Sequence, residues 1–323
     1  MRRRELLAFL GNAVIAWPVV AHAQSRVYRL GLLTLDAGED VSQLVGRLRD
    51  LGYVEGKNLQ HEHRSAEGDP KRLAALADEL VQLKPDVLVA GWGTLAPKAL
   101  RAVTETIPIV FSTVGDPIGA GLVQTLSRPG GNATGLSGQS NELKGKQLQL
   151  MLMCVPGQHI VGVLLNPDTP YSALALKQLK AAAEGQGIQL KVLEVRSPAE
   201  LTAAGLDALA ASGATSLFVI EDPLMAGLRT TVIGEATRLR LPTMTGLLEY
   251  ARSGGLMAYG TGRKDQYRRT AEYVDKIFKG ASPSELPVEQ PTQFHFVINV
   301  KAAKAMDVAI PPSLLAVANE VIE

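Results

Sequence analysis

The chain has 323 residues, 46% hydrophobic and 20% charged, with a formal net charge of +1. That charge gives no electrostatic reason to expect nucleic acid or an anionic membrane as partner, and the apolar content supports one large or two ordinary domains. Cys154 is the only cysteine, so no internal disulfide is possible; in "LMLMCVPG" it reads as a small packed side chain.

Residues 1–23 read as an export signal. Arg2, Arg3 and Arg4 precede an apolar stretch from Leu6 to Val20, and Ala21, His22 and Ala23 form a small-x-small cleavage site before Gln24. Asn12 and Pro18 interrupt the stretch, which falls short of the roughly 20 apolar residues of a membrane span. Arginines beside "ELLA" fit the twin-arginine route as well as the general one. No cysteine near Ala23 offers a lipid anchor, and no later apolar run is long enough to cross a bilayer.

Strand-like runs then alternate with amphipathic helical patterns. "RVYRLGLLT" (26–34) is the first strand. After "LDAGED", Asp40 can cap a helix carrying Leu44, Val45, Leu48 and Leu51 on one face, with Gln43 at the capping-box position. "LQHEHR" is a second strand. Asp69 and Pro70 open a helix whose buried stripe is Leu73, Leu76, Leu80 and Leu83. "DVLVA" and "IPIVFS" are the third and fourth strands. The rhythm restarts with "IVGVLL" (160–165), a helix from about Ala173 to Gly185, "QLKVLEV", a capping box "SPAE", "SLFVI", and two short strands in "LPTMT" and "GGLMAYG". Helices of about a dozen residues between short apolar strands mean βαβ units and parallel sheets. The seam between the two α/β blocks is expected within the Gly- and Ser-rich segment 127–140. "QFHFVINV" is a final strand, and the tail after it is compatible with either block.

In such sheets ligands bind beyond the carboxyl ends of the strands. The loops there are "LDAGED", "GWGT", "STVGDP", "NPDTPY", "IEDP", "MTG" and "YGTG". They offer hydroxyls, backbone amides, an indole, Tyr171 and Tyr259, and carboxylates, but no histidine or cysteine. Asp36, Asp222 and Thr245 are candidates on this ground. "GWGTLA" fits a dinucleotide fingerprint in spacing, yet it follows the third strand, Trp92 would crowd a phosphate, and no acid ends the next strand; a tight turn explains its glycines. His61 and His63 share one face of a strand, but a zinc site needs further ligands at an appropriate spacing. No G-x-S-x-G elbow is present. Asn132 begins a glycosylation sequon that reads as a turn. No cofactor and no metal are expected.

"VGDPIGAGLVQTLSRPGGNATGLS", "GGLMAYG" and "VINVKAAKAMDVAIPPSLLAVANEVIE", with the early "LRDLGYVEGKNL", resemble the ABC-transporter substrate-binding proteins of the tryptophan/tyrosine type, across nearly the whole chain. The resemblance implies a type I periplasmic-binding-protein fold: two Rossmann-like lobes with parallel sheets, joined by a multi-strand hinge. Lobe 1 would comprise residues 24–135 and 260–292, lobe 2 residues 136–259 and 293–323. A small solute, in some members an aromatic amino acid, would be trapped between them and passed to a membrane permease by a periplasmic, monomeric protein. It points to ligand contacts at Thr34, Trp92, Gly93, Thr94, Val114, Gly115, Asp116, Ser137, Asn166, Glu221 and Tyr259. Members usually carry a small residue where Trp92 stands, so ligand choice does not carry over. Asp36, Asp116, Asp168, Glu221 and Asp222 against few basic groups predict a neutral, zwitterionic or cationic solute, with Asp116 as first partner for an ammonium. The alternatives are a secreted α/β carbohydrate-active enzyme using Asp116 with Glu221 or Asp222, and a ligand-sensing subunit for a membrane receptor.

Overall fold

The computed structural model describes residues 26–36, 38–138 and 143–323. The export signal and its cleavage site lie outside the described residues. Strands β1 (Tyr28–Thr34), β2 (Leu59–Ser65), β3 (Val87–Ala90), β4 (Ile109–Val114) and β5 (Ala133–Ser137) form a parallel sheet in the order β2-β1-β3-β4-β5. Helices α1 (Ser42–Asp50), α2 (Leu73–Gln82) and α3 (Leu95–Val103) connect the first four strands. Both faces of β3 and β4 are buried, which is why their sequences are unbroken apolar runs rather than alternating ones.

The chain then builds a second sheet. Its elements in order are α4 (Lys144–Cys154), β6 (Ile160–Leu165), α5 (Pro170–Glu184), β7 (Gln189–Glu194), α6 (Ala203–Ala211), β8 (Leu217–Val219), α7 (Pro223–Gly227), α8 (Arg229–Arg238), β9 (Thr243–Thr245), α9 (Leu248–Arg252) and β10 (Met257–Gly260). From β10 the chain returns to the first sheet as α10 (Arg263–Phe278), which packs Tyr267, Val274 and Ile277 into a core with Leu44 and Leu48 of α1. It crosses once more to β11 (His295–Asn299), α11 (Val300–Ala305), α12 (Pro312–Val317) and β12 (Glu320–Ile322). The second sheet has the order β12-β11-β10-β9-β8-β6-β7. The tail therefore completes the second sheet, with β12 parallel to β11.

Several local expectations need correction. The segment 127–140 is not only linker: "ATGLS" is β5, paired with β4. Its pattern is hidden because Gly135 occupies φ 151° and a Cβ there would come 2.1 Å from the Phe111 carbonyl oxygen, so a strand residue had to be glycine. The β10/β11 pair is antiparallel, because β10 runs out towards the first lobe and β11 runs back from it. Asp40 accepts from the Ser42 N–H (3.0 Å), but the helix begins at Ser42 with no side-chain cap bond at its N-cap. Leu83 is exposed beyond the end of α2, and Ala77 takes its place in the buried stripe. "SPAE" forms a single 3-10 turn, and Thr202 caps the helix that follows. α5 starts at Pro170, which puts Tyr171 in its first turn rather than in a loop. Cys154 is buried, as its apolar surroundings imply. Asn132 turns its amide inward, donating to the Thr104 and Ile107 carbonyls. No helix among the described residues is long and apolar enough to cross a membrane.

Candidate functional site

The carboxyl ends of the two sheets face each other across a closed cleft. In the first lobe the loop after β3 turns at Gly93, whose φ of 101° favours glycine. Gly93 N–H donates to the Thr113 carbonyl (3.0 Å), and the Trp92 N–H donates to Glu39 Oε1 (2.7 Å). Trp92 is thereby projected across the gap, where its half-buried indole packs on a lobe 2 core that includes Leu224, Leu247 and Tyr250. The lobes meet closely at two further points. A Cβ on Gly93 would stand 2.7 Å from Pro223, and one on Gly115 would stand 2.2 Å from the Tyr171 ring.

Two small cavities lie in this cleft, each of about 30 Å³, and Trp92, Thr113 and Glu221 line both. The first is also lined by Gly93, Thr94, Gly115, Thr169, Tyr171, Asp222 and Pro223. It lies beside Thr94, which precedes α3, and beside Thr169 and Tyr171 at the start of α5. The second is lined by residues that include Leu247, Thr261, Arg263 and Gln266. Arg263, the first residue of α10, lies with its guanidinium 5.5 Å from the centre of the Trp92 ring. Its Nη1 has no hydrogen-bond partner among the described residues, and neither has Glu39 Oε2.

The charges are largely spoken for within the protein. Glu221 forms an ion pair with the fully buried Lys144, and it also accepts from Gln147 Nε2 (3.1 Å) and the Tyr171 hydroxyl (3.0 Å). Burial lowers the Lys144 pKa, and the Glu221 carboxylate opposes that shift. Asp222 caps α7 through the Leu224 N–H (2.8 Å) and accepts from Asn166 (3.2 Å); burial pushes its carboxyl up to about 6. Glu39 is pushed up to about 7 by burial, while the hydroxyl of Tyr267, the Trp92 N–H and the Arg263 charge pull the other way.

Of the residues expected at the site, Trp92, Gly93, Thr94, Gly115, Tyr171, Glu221 and Asp222 come together here. The others sit elsewhere. Thr34 is hydrogen-bonded to His63 (2.9 Å), Asp36 accepts from Gly38 N–H (3.0 Å), and Val114 is core. Asp116 accepts from Gly119 N–H (2.8 Å) and so shapes its own turn. Thr245 is buried at the end of β9, Asn166 supports Asp222, and Tyr259 stacks its ring near Phe294 and Phe296. Ser137 lines a separate hollow of about 180 Å³ at the hinge. That hollow is roomier; its Arg269 and Glu289 are closed on each other (2.7 Å), and Asp265 and His295 also line it. Sequence reading missed Glu39, Lys144, Gln147 and Arg263, whose roles depend on contacts far along the chain. Only Arg263, directly after "YGTG", carried a local signal. His61 pairs with Glu55 (2.6 Å) rather than with a metal, and the described residues hold no group of three potential metal ligands.

Residues 38–322 match the sequence profile of the ABC transporter substrate binding proteins. The chain belongs to that family. A substrate-binding protein of this kind is the solute-binding component of an ABC transporter, and the family is one of solute binding rather than catalysis; its members normally work outside the cytoplasmic membrane. This binding protein is 26% identical over 261 residues to a tyrosine-binding protein of Clostridioides difficile, covering 80% of this chain and 74% of that one. Its fold superposes on a conserved domain protein from Vibrio cholerae with a TM-score of 0.86, at 29% identity over 92% of this chain and all of the other. It superposes equally broadly, with a TM-score of 0.83 and 26% identity, on an ABC domain from Streptococcus pneumonia solved in complex with L-Trp. These neighbours bear out the two-lobed periplasmic-binding-protein fold.

Proposed function

We propose that this binding protein traps an α-amino acid between its lobes and delivers it to the membrane permease of an ABC importer. The observation that carries this reading is the charge pattern of the closed cleft. Arg263, with Nη1 unpartnered, lines the second cavity at one end, Asp222 lines the first at the other beside Thr94 and Thr169, and Trp92 and Thr113 line both. A zwitterion meets both ends: its carboxylate lies against the guanidinium, its ammonium against the acid. The names of two relatives, one tyrosine-binding and one bound to L-Trp, support the same class. The pairing of Glu221 with Lys144 and of Asp116 with its own turn removes both carboxylates from the arrangement a glycoside hydrolase needs.

The protein acts as an exported monomer, its leader removed after Ala23, with the solute-binding lobes as described and no cofactor. A thermal-shift panel of amino acids, sugars and polyols, with mass spectrometry of what co-purifies, tests the reading. Stabilisation by an amino acid is expected. Stabilisation by a sugar or polyol alone would overturn it.

A further inference from the structure

The indole of Trp92 stands between the two cleft cavities and forms a wall of each. It is held from four sides. Its backbone N–H is fixed by Glu39, the next peptide by Thr113, one flank by the lobe 2 core, and Arg263 lies over the ring. Each cavity measures about 30 Å³, room for one or two water molecules. A cavity that admits a benzene ring is about 150 Å³. An aromatic solute and the Trp92 ring therefore compete for one volume, and the fixed ring holds it.

We propose that Trp92 sets the upper size limit of the solute, so that this cleft takes a small, non-aromatic amino acid and turns away tyrosine and tryptophan. The inference rests on the amino-acid reading above and narrows it. Each cavity is smaller than any whole amino acid, so the lobes must open for every solute. With the indole held in place that opening is least for a side chain of hydrogen, methyl or hydroxymethyl, and Thr94, Thr113 and Thr169 give the first cavity a polar lining. Truncating Trp92 merges the two cavities into one of ring size.

The test is isothermal titration of the purified protein with glycine, L-alanine, L-serine, L-threonine, L-tyrosine and L-tryptophan, repeated for Trp92→Ala and Trp92→Leu. Wild type is expected to bind at least one of the four small amino acids, and the aromatic pair at least ~100-fold more weakly, the factor that about 2.7 kcal/mol corresponds to. Trp92→Ala should gain at least ~10-fold for L-tyrosine or L-tryptophan. If circular dichroism shows that Trp92→Ala fails to fold, the smaller gain expected of Trp92→Leu decides. Wild type that binds L-tyrosine or L-tryptophan as tightly as the small amino acids overturns the size limit and leaves the amino-acid reading standing. So does a folded variant that gains nothing. Absence of binding of all six by every protein defeats the amino-acid reading itself, and the size limit with it.

Discussion

Replacing Gly115 by alanine or valine should hold the two lobes apart without disturbing either. A Cβ at this position would stand 2.2 Å from Cδ2 and 2.6 Å from Cε2 of Tyr171, on the other lobe, where 3.4–4 Å is ordinary contact. Tyr171 has little room to yield. Its side chain is buried, its hydroxyl donates to Glu221 (3.0 Å), and the Lys144 ammonium lies 5.8 Å from its ring centre. The lobes must then part by about 1 Å or the ring must leave its place; forcing a methyl into such a contact costs about 1–3 kcal/mol. Because the contact exists only when the lobes are closed, that cost falls on closure and not on folding. Affinity for the solute should drop roughly 5- to 150-fold, more for valine than for alanine. Titration calorimetry reads the affinity, small-angle scattering the separation of the lobes, and circular dichroism the unchanged melting of each. A Gly115→Ala protein that binds as tightly as wild type, with an unchanged scattering profile, would refute the closed contact.

Lys144→Met strands the buried Glu221 carboxylate and should cost about 3–5 kcal/mol in urea unfolding, with most of it restored by Glu221→Gln in the same chain; a loss under about 1 kcal/mol would show the pair to be solvated. Burial raises the carboxyls of Glu39 to about 7 and Asp222 to about 6 from ordinary values of 4.5 and 3.8, so the folded chain holds these protons more tightly than the unfolded one. The linked stability, about 3 kcal/mol at most for each group, is complete below pH ~4 and is lost as pH rises through 6 and 7; Glu39→Gln should flatten that loss, and a pH-independent unfolding energy between 5 and 8 would contradict it. Trp17 and Trp92 are the chain's two tryptophans, so in protein lacking the leader the emission reports Trp92 alone; a true solute should shift or quench it, and an unchanged spectrum would place the indole outside the site.

The fold was legible wherever burial imposes a period on the sequence. "VLVA" and "IVFSTV" could only be strands covered on both faces, and the helices between them carry their apolar stripes at helical spacing. What stayed hidden was set by contacts rather than by period. β5 is buried along its whole length yet contains threonine, glycine and serine, since its core position is dictated by the close passage of Phe111. The short turn at "SPAE" satisfied every local capping rule and still did not start a helix. The Glu200 carboxylate accepts from the Arg196 N–H rather than from the Ser197 N–H that a capping box requires, and the helical hydrogen bonds begin at the Thr202 carbonyl.

At the site, the sequence could name loops but not decide which acids remain for a solute. Five carboxylates at strand ends argued for a neutral, zwitterionic or cationic ligand, yet only Glu221 and Asp222 of those five line the cleft cavities, and one of them is neutralised by a lysine 77 positions away. The cation that faces the cleft, Arg263, sits at the head of a helix that belongs to the opposite lobe from the strand preceding it. A guanidinium in that place is carried by the hinge itself. Gly93 of "GWGT" and Gly115 of "VGDP" acquire the same kind of explanation. A phosphate cradle needs glycine so that a ligand can approach the backbone, whereas here Pro223 and Tyr171 of the second lobe take that approach. The small residues thus encode the distance to which the lobes close, and the one large residue set among them, Trp92, encodes how little space closure leaves.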